Sequence, residues 1–208
     1  MTGIPTIYPY QIPQATDICA NIADWHPDPK RAVLLVHDMQ PFFLRVLPND
    51  SIAEPLQEKV ERLAACARTL GVPIAYTMQP GGMTIEQRGL LKDIWGPGMT
   101  VDPKDREIGG SLAPQAHDWV FTKWRYSAFF KSDLLQRMKE ANRDQLVICG
   151  VYAHIGILAT AIEAFSNDIE TFIVADAVAG FNRDNHLMAL NYAAKSCAVV
   201  KFSEEVWG

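Results

Sequence analysis

Along the chain, short runs of consecutive apolar residues alternate with longer segments in which apolar residues recur every three or four positions. The first run, Ala32-Val33-Leu34-Leu35-Val36, leads directly into His37 and Asp38. Unbroken, β-branched-rich runs of this length read as strands buried on both faces, and strands are predicted over 32–38, 73–79, 119–123, 145–151, 171–175 and 198–202. Helical spacing predicts helices over 54–70, 133–141, 154–165 and 184–196, with Gly71 placed to end the first and Ser132 to open the second. A shorter helix is expected over 84–92. About six strands alternating with helices predict a three-layer α/β/α fold on one mostly parallel sheet. Two regions carry weaker patterns. Residues 1–30 hold Pro5, Pro9, Pro13, Pro27 and Pro29 and read as an extended arm with a short helix near 15–23, packed on the body or on a partner subunit. Residues 80–118 read as a lid, a binding loop or an oligomer contact. Within them Gly109-Gly110-Ser111 reads as a turn.

Composition narrows the function classes. The 208 residues suffice for one α/β domain over 1–208, with the arm packed on it. A net charge of -5 argues against a general nucleic-acid or anionic-membrane surface, so the positive contacts for an anionic small substrate must be local. No apolar stretch is long enough to span a membrane, and the first residues lack a secretion signal. None of the four Cys forms a C-x-x-C pair; buried, reduced thiols in the cytoplasm are expected. The five His show no ligand spacing, so no metal is expected. There is no nucleophile elbow, phosphate loop or dinucleotide fingerprint, and no cofactor is expected. The apolar segment 154–165 and the arm point to a homodimer.

In a parallel sheet the strand ends share one edge, where Asp38, Gln79, Lys123 and the Gly150–Gly156 turn converge. An Asp beside a Lys is a proton-transfer pair or a structural salt bridge, and Asp38 by itself could merely pin the following loop. The turn after the fourth strand offers glycines and the first amides of a helix to an anion.

Leu35-Val36-His37-Asp38-Met39-Gln40, Trp95-Gly96-Pro97-Gly98, Lys123-Trp124-Arg125-Tyr126-Ser127-Ala128-Phe129 and Gly150-Val151-Tyr152-Ala153-His154-Ile155-Gly156 resemble the isochorismatase-like hydrolase superfamily over nearly the whole chain. The amidase branch of that superfamily uses Asp, Lys and a Cys nucleophile, and the Cys would fall at Gly156. Its replacement matches the isochorismatase branch, which hydrolyses a vinyl ether. Gln79-Pro80-Gly81-Gly82-Met83-Thr84 and the segment through Asp93 are most similar to the phenazine-pathway members. That resemblance implies 2-amino-2-deoxyisochorismate, and also isochorismate, as substrate, split to trans-2,3-dihydro-3-hydroxyanthranilate (or the dihydrodiol) and pyruvate. A siderophore-pathway isochorismatase and a non-catalytic interaction subunit are the alternatives. The resemblance gives Asp38 the role of proton donor beside Lys123, with the charge of the bound substrate tipping Asp38 to its protonated form. It places Gln79, Arg88, Tyr152 and the Gly156 backbone around the substrate, with Trp95 walling the pocket. Trp95 also reads as loop packing, and Tyr152 as a core residue with a satisfied hydroxyl. Val151-Tyr152 is expected to be a cis peptide by the same analogy. Met78 is bulky enough to narrow the pocket.

Overall fold

The computed structural model describes residues 3–207. Six parallel strands form one sheet: β1 (Ala32–His37), β2 (Ile74–Met78), β3 (Trp119–Thr122), β4 (Gln145–Val151), β5 (Glu170–Ala179) and β6 (Val199–Lys201), in the order β3-β2-β1-β4-β5-β6. Every residue of β1 and of β4 is buried, as their apolar runs require. Alternate residues of β1 point to opposite layers. Leu34 and Val36 pack with the helix α1 (Glu54–Thr69) and the arm residue Ile7. Val33 and Leu35 pack with α2 (Leu134–Glu140), α3 (Leu158–Ser166) and α4 (Arg183–Ser196).

The helix ends follow the local sequence. At the end of α1, Gly71 has φ 68°, a value glycine adopts without steric cost. Its N–H bonds to the Arg68 carbonyl, and the Val72 N–H reaches back to Ala67, a Schellman ending. The Ser132 hydroxyl accepts the Leu134 N–H at the start of α2, as expected.

Several expectations are corrected. The helix expected near 15–23 is only a 3₁₀ turn, Ala15–Asp17; beyond it, Cys19 and Asn21 bond to α4 and β6 rather than to their own neighbours. The loop after β1 contains a short helix, Pro41–Leu44, opened by a proline at its first position. The helix expected over 84–92 is broken in two, Ile85–Arg88 and Leu91–Trp95, at Gly89 with φ 51°. β5 does not stop at Ala175. It continues to Ala179 because its register against β4 shifts between Ile148 and Gly150. Asp176, just past the expected strand 171–175, lies within β5; it accepts the Ser203 N–H and hydroxyl and pairs with Lys59 at 2.7 Å. The stretch around Ser111 is a turn as expected, a single 3₁₀ turn over Gly110–Leu112. No helix among the described residues is long and apolar enough to cross a membrane.

The strand order reverses between β1 and β4, and in open α/β sheets ligands bind outside the carboxyl ends at such a point. There β4 presses close to β1. A side-chain carbon at Gly150 would lie 2.2 Å from the His37 carbonyl oxygen, so only glycine fits.

Candidate active site

Just past β1 the backbone of Asp38 takes φ 51°. This is a left-handed value that costs most residues energy but that Asp tolerates better than β-branched ones. The Asp38 N–H donates to the Thr77 carbonyl at 3.3 Å and reaches the Thr77 hydroxyl at 3.2 Å. That hydroxyl donates in return to Asp38 Oδ1 at 2.7 Å. On the other oxygen, Lys123 Nζ donates to Asp38 Oδ2 at 2.8 Å. The Lys123 N–H continues the β3 ladder to Met78, which carries its side chain to the common edge. Asp38 and Lys123 are 4% and 3% exposed. An ion pair this buried persists only with its remaining hydrogen bonds made, and Thr77 supplies one of them.

These residues floor a cleft with about 530 Å³ of empty space, part of it open to solvent, at the place where ligands bind in such sheets. All seven residues expected at the site line it: Asp38, Gln79, Arg88, Trp95, Lys123, Tyr152 and Gly156. Arg88 is buried and makes no ion pair among the described residues. Its Nε–H donates to the Gly96 carbonyl at 2.9 Å, and its Nη1 reaches Gln79 Oε1 at 3.3 Å. A side-chain carbon at Gly98 would sit 2.9 Å from the guanidinium carbon, so the Trp95–Gly98 loop is shaped around this cation. Desolvation, and after it the nearby Arg125, lowers the Arg88 pKa. A buried guanidinium without a carboxylate is a receptor for one. Trp95 donates its indole N–H to the Tyr126 hydroxyl at 2.9 Å and also lines the cavity. Tyr152 lines the cavity with its hydroxyl already committed to the Phe43 carbonyl at 2.6 Å, so its ring is what it offers a ligand. Burial raises its pKa.

Gly156 stands near the end of the turn Ala153–Ile157 that leads into α3. A side-chain carbon there would lie 2.4 Å from His37 Cε1 and 2.9 Å from its Nε2. The imidazole thus fills the place of a side chain at 156. His37 is fully buried, its Nδ1 is 2.6 Å from the Val151 carbonyl, and its Nε2 has no partner among the described residues. A carbonyl only accepts, so Nδ1 carries the proton. Desolvation holds the imidazole neutral, pushing it down to about 4. The Val151-Tyr152 peptide is cis, as the resemblance implied. Cys149 points into the core and contacts the Leu35 carbonyl, and burial raises its thiol pKa. The four Cys are free, with Cys149 and Cys197 buried. No cluster of three or more His, Cys, Asp or Glu side chains suited to a metal occurs among the described residues.

Sequence reasoning missed Thr77, which in a β-branched run reads simply as a strand residue. It missed Phe181, the residue after the unexpected extension of β5, and the arm residue Ile4; both line the cavity. Met78 does not narrow the cavity. Strand alternation turns it away from Thr77, and it packs against the core.

A buried carboxyl–ammonium pair in a cavity at the switch point of an all-parallel doubly wound sheet defines an α/β enzyme. The isochorismatase domain matches residues 32–205. The phenazine biosynthesis protein PhzD of Pseudomonas fluorescens is 57% identical over 206 residues, 99% of each chain. Component B of the enterobactin synthase of Escherichia coli K12 is 44% identical over 98% of this chain and 72% of its own length. Among solved structures, an isochorismatase family protein from Burkholderia thailandensis superposes with a TM-score of 0.78, at 25% identity over 88% of this chain and 96% of that one. N-carbamoylsarcosine amidase from Thermoplasma acidophilum superposes with a TM-score of 0.70 at 24% identity, over 86% and 99% of the two chains, and shares the fold. The chain belongs to the isochorismatase family and is a hydrolase.

Proposed function

We propose that the chain hydrolyses the enolpyruvyl ether of 2-amino-2-deoxyisochorismate, and of isochorismate, in phenazine biosynthesis. The 57% identical relative is named for that biosynthesis. The observation that carries the chemistry is a buried carboxyl, Asp38, facing a cavity whose wall at Gly156 has no room for a nucleophilic side chain. A vinyl ether needs a proton, not a nucleophile, at its methylene carbon. Asp38 delivers the proton to that carbon, and the ether oxygen stabilises the resulting oxocarbenium ion. Water adds to the cationic carbon and returns a proton to Asp38. The hemiketal collapses: the bond between that carbon and the ether oxygen breaks, the hydroxyl proton passes to the departing oxygen, and pyruvate and the ring alcohol leave. One water is consumed and no covalent enzyme intermediate forms. Arg88 takes a substrate carboxylate, Gln79 and the Gly156 amide bond its polar groups, and Trp95 and Tyr152 pack against its ring. Lys123 and Thr77 aim the Asp38 carboxyl. The negative charge of the substrate favours the protonated acid on binding.

The test couples pyruvate release to a reporter dehydrogenase with the two substrates side by side. Release from at least one supports the reading; release of ammonia from nicotinamide in its place would overturn it. We further read the chain as one domain over 1–208 with its arm packed on it, working in the cytoplasm as a homodimer. The dimer reading is supported by the exposed apolar residues Ile162 and Phe165 on α3 and Met188 and Tyr192 on α4, and a monomer by light scattering would refute it.

A further inference from the structure

The arm takes no part in the sheet, yet it reaches the cavity. Ile7 is buried in the core layer beside α1, and Ile4 lines the cavity itself. Its polar anchor near the site is Tyr10. The Gly180 N–H donates to the Tyr10 hydroxyl oxygen at 2.9 Å. The same hydroxyl lies 3.2 Å from His186 Nδ1 and 3.3 Å from the Gly180 carbonyl. The other ring nitrogen of the fully buried His186 is 3.2 Å from the Ala175 carbonyl. That carbonyl only accepts, so Nε2 carries the proton and Nδ1 presents a lone pair. The tyrosine O–H donates to it. A directed chain therefore runs from the Gly180 amide through Tyr10 and His186 to Ala175 on β5. Burial keeps its members neutral, with the phenol pushed up to about 12 and the imidazole down to about 4.

Phe181 follows Gly180. Its ring meets Tyr152 at 4.8 Å, His154 at 4.7 Å and Trp95 at 5.8 Å between centroids, all edge-on. Phe181, Tyr152 and Trp95 line the cavity together. Gly180 is pressed against the start of α4, where a side-chain carbon would sit 3.1 Å from the His186 nitrogen. The turn that presents Phe181 is thus held from behind by α4 and from above by Tyr10.

We propose that the N-terminal arm is a wall of the substrate cavity and that Tyr10 is a positioning residue, fixing Phe181 through Gly180 and Ile4 through the arm. The inference rests on the vinyl-ether reading only for its kinetic readout. Tyr10→Phe keeps the ring but leaves the Gly180 N–H and His186 Nδ1 without their partner. The hydrogen bonds that aim Asp38 are made by Thr77 and Lys123 and do not involve the arm. The expected result is a KM for isochorismate raised roughly five- to tenfold with kcat within about twofold of wild type. Hydrogen exchange at the Gly180 amide should quicken by roughly tenfold. Ile4→Ala, which touches the cavity but not Gly180, should raise KM without changing exchange at Gly180. A Tyr10→Phe protein that is only less stable, with wild-type KM, would overturn the proposal, and so would unchanged exchange at Gly180. If the wild type releases no pyruvate, the vinyl-ether reading is at fault, and the exchange measurement still decides the role of Tyr10.

Discussion

Asp38→Asn separates the charge and proton of the carboxyl from its shape. The amide can still meet Thr77 on one side and Lys123 on the other, where the carboxyl now bonds at 2.7 and 2.8 Å. Two things are lost. There is no transferable proton, so pyruvate release should fall by about 10³-fold or more, near the upper range for a general acid. The Lys123 ammonium, its side chain 2% exposed, is also left without its counter-charge. Removing one partner of a buried pair costs about 3–5 kcal/mol. Urea unfolding of variant and wild type at pH 7 measures this, and calorimetric titration of substrate into the variant shows whether binding survives. Turnover above a tenth of wild type would refute Asp38 as the proton donor. A variant as stable as wild type at pH 7 would refute the account of the pair.

Arg88→Lys keeps a charge but loses the planar fork held by Gly96, so KM should rise roughly 10- to 100-fold with little change in kcat; a KM within twofold of wild type would remove Arg88 from carboxylate recognition. Gly156→Ala must displace His37 from the Val151 carbonyl. It should cost roughly 1–3 kcal/mol of stability together with most of the activity, and a fully active, equally stable variant would show that the imidazole yields freely. Acid should destabilise the fold in a defined window. Below about 6.5 the unfolded chain protonates histidines that His37 and His186 in the fold do not match until about 4. Stability is therefore lost as pH falls between those values, by roughly 1.4 kcal/mol per unit for each histidine. Urea midpoints that stay flat from pH 6.5 to 4.5 would contradict that account.

The legible part of this molecule was the part governed by periodicity and by strand ends. The unbroken run before Asp38 announced β1, Gly71 announced the end of α1, and the shared edge of a parallel sheet was enough to bring Asp38, Gln79 and Lys123 together. What escaped depended on pairings between distant segments. Nothing local says that Thr77 faces Asp38 across the β1–β2 ladder, or that the register of β5 slips against β4 and carries Phe181 to the cavity. The arm showed proline and little else. Its order comes from partners far along the chain, among them Gly180 and His186, 170 and 176 residues beyond Tyr10. His37 read as one more strand residue, and only the close approach of Gly156 reveals what space its ring holds.

Gln40, fully buried behind Asp38, uses one amide group three times. Its oxygen accepts the Gln79 N–H at 2.7 Å, and its nitrogen donates to the Gln79 and Arg106 carbonyls at 3.0 and 2.9 Å. The long excursion that carries Arg88 and Trp95 therefore leaves and rejoins the body at a single stapled point. Its interior can be rebuilt, shortened or exchanged while its two feet stay where they are. New substrate preferences on this scaffold can arise there without disturbing the acid beneath.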